Sequence, residues 1–136
     1  MASAPVLDSY ALLAFLRGEP GEDQVAALLE KGGARDVPLH MTEVSYAEVK
    51  YMVIRKDGAA HWEQVARQLP TLPIEFHAAD RRLAEVAADI KAKHSLSLAD
   101  AFAAALAKEK KAELVTGDAE FKQLEKEIKI TWLKTS

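Results

Sequence analysis

The sequence predicts an α/β fold, a three-layer αβα sandwich built on a central, mainly parallel sheet of four or five strands. Three observations predict it. Short apolar runs alternate with longer stretches whose apolar residues recur at helical spacing. The connections between them are short, which favours strands joined by helical crossovers and therefore a parallel sheet covered on both faces. With 136 residues and 49% of them apolar, the chain has the material for one sizeable core, so a single domain over residues 1–136 is expected.

The elements follow in order. Pro5 to Leu7 is an apolar run ending at Asp8, and Tyr10, Leu12, Leu13, Phe15 and Leu16 continue as a buried helix. Gly18 and Pro20-Gly21 break it. Glu22 to Lys31 makes a second helix with Val25, Leu28 and Leu29 inward, and Gly32-Gly33 is expected to stop it. Pro38 to Met41 is too short for a helix and reads as the second strand. Ser45 stands three residues before Glu48, the spacing of a capping box, at the head of a helix carrying Val49, Met52 and Val53 and closed by Gly58. Ala59 to Leu69 is helical, with Trp62, Val65 and Leu69 on one side, where Trp62 reads as core. Pro70 and Pro73 bracket a turn before the third strand, Ile74 to Phe76.

Ala79 to Lys93 is an amphipathic helix through Leu83, Val86, Ala87 and Ile90. Ser97 then reads as an N-cap with Asp100 three residues on, heading a helix that ends in the Lys108 to Lys111 cluster. Leu114 to Thr116 runs back as the fourth strand. After Phe121 a charged helix is expected to end near Glu127, and Ile128 to Leu133 alternates as the last strand.

Composition narrows the function classes. The chain has no cysteine, which removes disulfides and thiolate metal sites. Its N-terminus lacks a basic segment and carries Asp8 where a signal peptide is apolar, and no apolar run has the length of a membrane span, so a cytoplasmic protein is expected. A net charge of −3 argues against a wholesale basic surface, and any nucleic-acid contact must be local. His40, His61, His77 and His94 show no metal-ligand spacing and read as isolated surface or half-buried residues.

In parallel sheets, ligands sit outside the carboxyl ends of the strands. Asp8 ends the first strand, Glu48 lies early in the helix after the second, and Asp118 follows the fourth. Asp100 joins them, because its helix runs antiparallel to the strand that follows. Each acid alone also fits a cap or turn. Together they are costly, since two carboxylates ~4 Å apart repel by about 4 kcal/mol at an effective dielectric of about 20. Protons or a cation must offset that cost. Oxygen ligands without nearby His or Cys point to Mg²⁺ or Mn²⁺.

Val-Leu-Asp8-Ser-Tyr-Ala-Leu-Leu-Ala, Val-Ser-Tyr-Ala-Glu48-Val, Ser-Leu-Ala-Asp100-Ala-Phe and Val-Thr-Gly-Asp118-Ala-Glu-Phe resemble, in order, the four motifs of PIN-domain nucleases, and of the VapC toxins most closely. The resemblance implies a Mg²⁺- or Mn²⁺-dependent endoribonuclease of a toxin–antitoxin pair, a homodimer held in check by a VapB-like antitoxin. It implies that Asp8, Glu48, Asp100 and Asp118 form the catalytic site, with Asp8, Asp118 and Asp100 on the metal. Ser9 and Thr116 match supporting hydroxyls and fit equally as caps. Position 10 departs from the pattern, being Tyr where a small polar residue is frequent. Glu43, near Glu48, either supplements or replaces it. Arg55 and Lys56, on the helix that carries Glu48, are the better candidates among the basic residues to guide an RNA backbone. The competing readings are a PIN nuclease without an antitoxin and a noncatalytic acidic-pocket signalling or binding module.

Overall fold

Strands as short as Val6–Leu7 and Leu114–Thr116 survive at the centre of the sheet because helices bury both of their faces. The computed structural model describes residues 3–136, so Met1 and Ala2, part of the stretch read for a signal sequence, lie outside it. Five strands, β1 (Val6–Leu7), β2 (Leu39–Thr42), β3 (Ile74–His77), β4 (Leu114–Thr116) and β5 (Ile130–Trp132), pair in the order β3-β2-β1-β4-β5, every pair parallel. Six helices cover them: α1 (Ser9–Arg17), α2 (Glu22–Arg35), α3 (Glu43–Asp57), α4 (Ala59–Gln68), α5 (Arg81–Lys93) and α6 (Leu98–Lys110). Short 3-10 segments at Leu69–Thr71 and Ala119–Leu124 complete the chain.

The period of two along each strand divides the core. Leu7, Leu39, Met41 and Val115 face α1 to α4, packing with Leu12, Val25, Val49, Val53 and Trp62. Val6 and Leu114 face the other way, toward Leu83, Ala87 and Ile90 of α5, Phe102 and Leu106 of α6, and Phe121 and Leu124. This is the expected αβα sandwich. Asp8, Thr42 and Thr116 stand two residues beyond Val6, His40 and Leu114, positions paired across β1, β2 and β4. They therefore reach the carboxyl end of the sheet on the α6 side.

Four local expectations need correction. α2 runs through Gly32 and Gly33 to Arg35 instead of stopping at Lys31, and Asp36 ends it in the left-handed conformation at φ 55°. A Cβ on Gly32 would lie 2.7 Å from Leu39 Cδ1 and 3.0 Å from the Val37 carbonyl, so this glycine serves close packing of helix on strand. The N-cap of α3 is Thr42, whose hydroxyl accepts from the Ser45 amide at 2.9 Å. Helix α3 thus starts at Glu43, two residues before Ser45, and puts Glu48 in its second turn. The segment after Asp118 is a 3-10 helix, not an α-helix, because Asp118 caps it through the amide only two residues on. The last strand is shorter than expected, beginning at Ile130. Trp62, as expected, is core, edge-on to Tyr46 with ring centroids 5.8 Å apart. Among the described residues no helix is long and apolar enough to cross a membrane.

Candidate metal centre

Helix starts build the site. Asp8 is the N-cap of α1: its Oδ1 accepts from the Ala11 amide at 2.9 Å, and its side chain is buried. Its Oδ2 accepts from the Thr116 hydroxyl at 2.5 Å, and Thr116 Oγ1 accepts in turn from the Asp118 amide at 3.0 Å. One relay of hydrogen bonds thus joins the ends of β1 and β4. Asp118 caps the following 3-10 segment, its Oδ1 accepting from the Glu120 amide at 2.9 Å. Asp100 sits in the first turn of α6, where Ser97 Oγ accepts from its amide at 3.1 Å. Ser9 donates its hydroxyl proton to Glu48 Oε1, tying α1 to α3.

These side chains meet. Ser9, Tyr10, Leu13, Glu48, Met52, Ser97, Asp100, Asp118 and Glu120 line one pocket of about 290 Å³ at the carboxyl end of the sheet, and Asp8 is tied to its Asp118 through Thr116. Tyr10 enters because residue 117 is glycine: a Cβ there would fall 2.3 Å from the Tyr10 ring. The tyrosine at this departure from the family pattern is therefore matched by space made for it.

Electrostatics mark the pocket. Burial pushes the Asp8 carboxyl up to about 8, against the hydrogen bonds from Thr116 and Ala11 and with the help of the Asp100 and Asp118 charges. Asp100 is pushed up to about 7, first by burial and then by Asp118 and Glu48. Asp8 and Asp100 are thus disposed to hold protons toward neutral pH, and a bound cation would favour their release. Carboxylate oxygens of Asp100, Asp118 and Glu120 all lie within 4.8 Å of one another. An all-oxygen set of this charge fits a hard divalent cation, and the residues present therefore suit the metal the sequence implied.

The expected residues divide by position. Asp8, Glu48, Asp100, Asp118, Ser9 and Thr116 come together; Glu43, the first residue of α3, is exposed and does not line the pocket. Arg55 and Lys56 are exposed in the last turn of α3, about 10 Å of helix beyond Glu48, with the Arg55 guanidinium 5.1 Å from the Tyr51 ring. They stand away from the acids. Glu120 was missed by the sequence reading, although its place two residues after Asp118 was the available signal. The histidines need correction too: His40 Nδ1 and His77 Nε2 are 2.9 Å apart, so these two are neighbours, not isolated residues.

The family model of the PIN domain matches residues 6–127. A search of curated proteins gives no match. Among solved structures, the chain is similar to VapBC2 of Rickettsia felis bound to a DNA fragment from its promoter, with TM-score 0.74 at 17% identity over 95% of this chain and 98% of that one. It is similar to DNA-bound VapBC of Salmonella typhimurium, with TM-score 0.74 at 16% identity over 96% and 98% of the two chains. VapC20 of Mycobacterium tuberculosis, a toxin that cleaves the sarcin-ricin loop, aligns with TM-score 0.68 at 16% identity over 87% and 92%. At such identities the likeness is one of fold.

Proposed function

The chain belongs to the PIN domain family of nucleases, and from that premise we propose that it is a metal-dependent endoribonuclease acting as the toxin of a toxin–antitoxin pair. One observation carries the reading: Glu48, Asp100 and Asp118 share a pocket with no basic side chain among its lining residues, and the charges of Asp100 and Asp118 act on the buried Asp8 beside it. The reaction is hydrolysis of an RNA phosphodiester, in which water adds to phosphorus and the bond to the leaving oxygen breaks.

Asp8, Asp100 and Asp118 would hold Mg²⁺ or Mn²⁺, which supplies a Lewis acid for the scissile phosphate and lowers the pKa of bound water. The protein's own groups do the rest. The relay from the Asp118 amide through Thr116 fixes the orientation of Asp8. Ser9 occupies Glu48 Oε1, which leaves Oε2 to orient a water and accept its proton. The N-termini of α1 and α6 present partial positive charge to the phosphate and offset part of the repulsion between acids. Tyr10, Leu13 and Met52 make an apolar wall that limits access of bulk water.

Toxin–antitoxin complexes among proteins of the same fold support a VapB-like antitoxin as partner, and a homodimer working in the cytoplasm completes the proposal. An RNA cleavage assay with and without Mg²⁺ or Mn²⁺ tests the activity. Cleavage is expected to need the ion and to fall more than about a hundredfold in Asp8→Asn and Asp118→Asn, beyond the cost of losing an outer-shell partner. Equal cleavage by either variant, or by the chelated protein, overturns the reading.

A further inference from the structure

A second cluster of ligating side chains lies on the β2–β3 pair, and none of its members lines the acidic pocket. We propose that His40, Glu75 and His77 form a binding site for a borderline-soft divalent ion, with Zn²⁺ as the ion that fits best. The parallel register sets His40 directly opposite Glu75, and His77 follows two residues later on the same face of the edge strand. That face is the one β1 shows at Val6, so the alternation that sends Leu39, Met41, Ile74 and Phe76 into the core toward α1–α4 sends these three the other way.

The geometry is that of a site waiting to be bridged. One ligand atom from each residue lies within 4.8 Å of the other two. His40 Nδ1 faces His77 Nε2 at 2.9 Å, which requires a free lone pair on at least one of them, the form of imidazole that ligates metal. Glu75 Oε2 is 3.8 Å from His77 Nε2. Two Zn–N bonds of about 2.0–2.1 Å in a tetrahedron need their nitrogens about 3.4 Å apart, so the rings have only to separate by roughly half an ångström. Two imidazoles and a carboxylate leave a fourth position for water. Imidazole nitrogen strongly favours Zn²⁺ over Mg²⁺, whereas carboxylate oxygens discriminate far less, so millimolar Mg²⁺ competes among the acids and not at the histidines. The Glu75 side chain is half exposed and the two histidines are partly buried, which gives an ion a way in. Bound there, Zn²⁺ would clamp the edge strand β3 to β2, whose last residue caps α3.

The test uses the full chain stripped of metal by a chelator, and titrates Zn²⁺ calorimetrically in millimolar Mg²⁺. The wild type and the Asp118→Asn protein are expected to bind one zinc equivalent that His40→Gln and His77→Gln both lack, with Glu75→Gln weakened about tenfold or more. Co²⁺ in place of Zn²⁺ should give the visible absorption of a nitrogen-ligated tetrahedral ion in the wild type, lost in His77→Gln. Glu75→Gln alters a half-exposed side chain and keeps the proposal open to refutation if a histidine variant folds poorly. Equal zinc affinity in the wild type and the variants reduces the cluster to a hydrogen-bonded histidine pair and overturns the proposal. Loss of all zinc in Asp118→Asn overturns it too, because the ion then sits among the acids. Neither result bears on RNA cleavage.

Discussion

Two groups of polar side chains sit on the same side of the sheet, one at the ends of β1 and β4 and one along β2 and β3, and burial acts on them with opposite sign. Among the acids it favours the protonated form, so Asp8 is pushed up to about 8 and Asp100 to about 7. Among the histidines it also favours the uncharged form, but there that means losing a proton, and both His40 and His77 are held below the ordinary 6.5. The same desolvation stores protons at one place and sheds them at the other. The chemistry each can hold follows: the acids exchange protons for a hard cation, while the imidazoles offer free lone pairs without any exchange.

The sharpest way to break this contrast is to cut the relay beneath the acids. Thr116→Val removes the donor to Asp8 and the acceptor for the Asp118 amide while keeping the shape, and cleavage should fall by roughly ten- to a hundredfold, with a weaker apparent affinity for Mg²⁺. Unchanged metal dependence would mean that the relay is only structural. A smaller effect is expected from crowding the wall of the pocket. Gly117→Ala drives a methyl into the Tyr10 ring and should cost about 1–3 kcal/mol in denaturant unfolding, and adding Tyr10→Ala should relieve the clash. Additive losses in the double variant would refute that account.

A further contrast lies in the pH dependence of the metal-free protein, where the two regions should pull in opposite directions. Asp8 rises from 3.8 toward about 8 on folding, so its contribution is fully present at low pH and is lost as pH rises through that window. Thr116, Asp100 and Asp118 are the groups that face it. Asp8→Asn should therefore flatten the loss of stability between about pH 4 and pH 8, and added Mg²⁺ should do the same in the wild type. For the histidines the folded values are depressed, so their contribution is present above 6.5 and lost as pH falls below it. Glu75 opposes that shift and Lys110 adds to it. His77→Gln should remove part of the acid limb only. Unfolding curves at several pH values separate the two limbs.

Asp8, Asp100 and Asp118 were legible because each is tied to a local signal, a strand end or a helix start, and the parallel-sheet rule then gathers them. Glu48 was legible as a residue but not in its register. Thr42 and Ser45 both offer a hydroxyl to α3, and the competition was settled by the strand, whose last residue is Thr42. Gly32 and Gly33 were read as a stop because conformational freedom is the local property of glycine; that Leu39 needs the missing Cβ is a fact of packing between elements. The histidine cluster was hidden for the same reason. His40 and His77 are 37 residues apart and meet only through the β2–β3 register, which no local pattern states.

The hydrogen-bond relay spans 108 residues between Asp8 and Thr116. β1, which carries Asp8, is a two-residue strand at the centre of the sheet, and one of its two partners is β4. A growing polypeptide emerges N-terminus first, and this central strand must wait for Leu114–Thr116 before its second edge is filled. A truncated translation product ending before Leu114 would contain Asp8, Glu48 and Asp100 and still have no assembled site. The acidic pocket thus cannot close until Thr116 and Asp118 have been made and β4 has paired with β1.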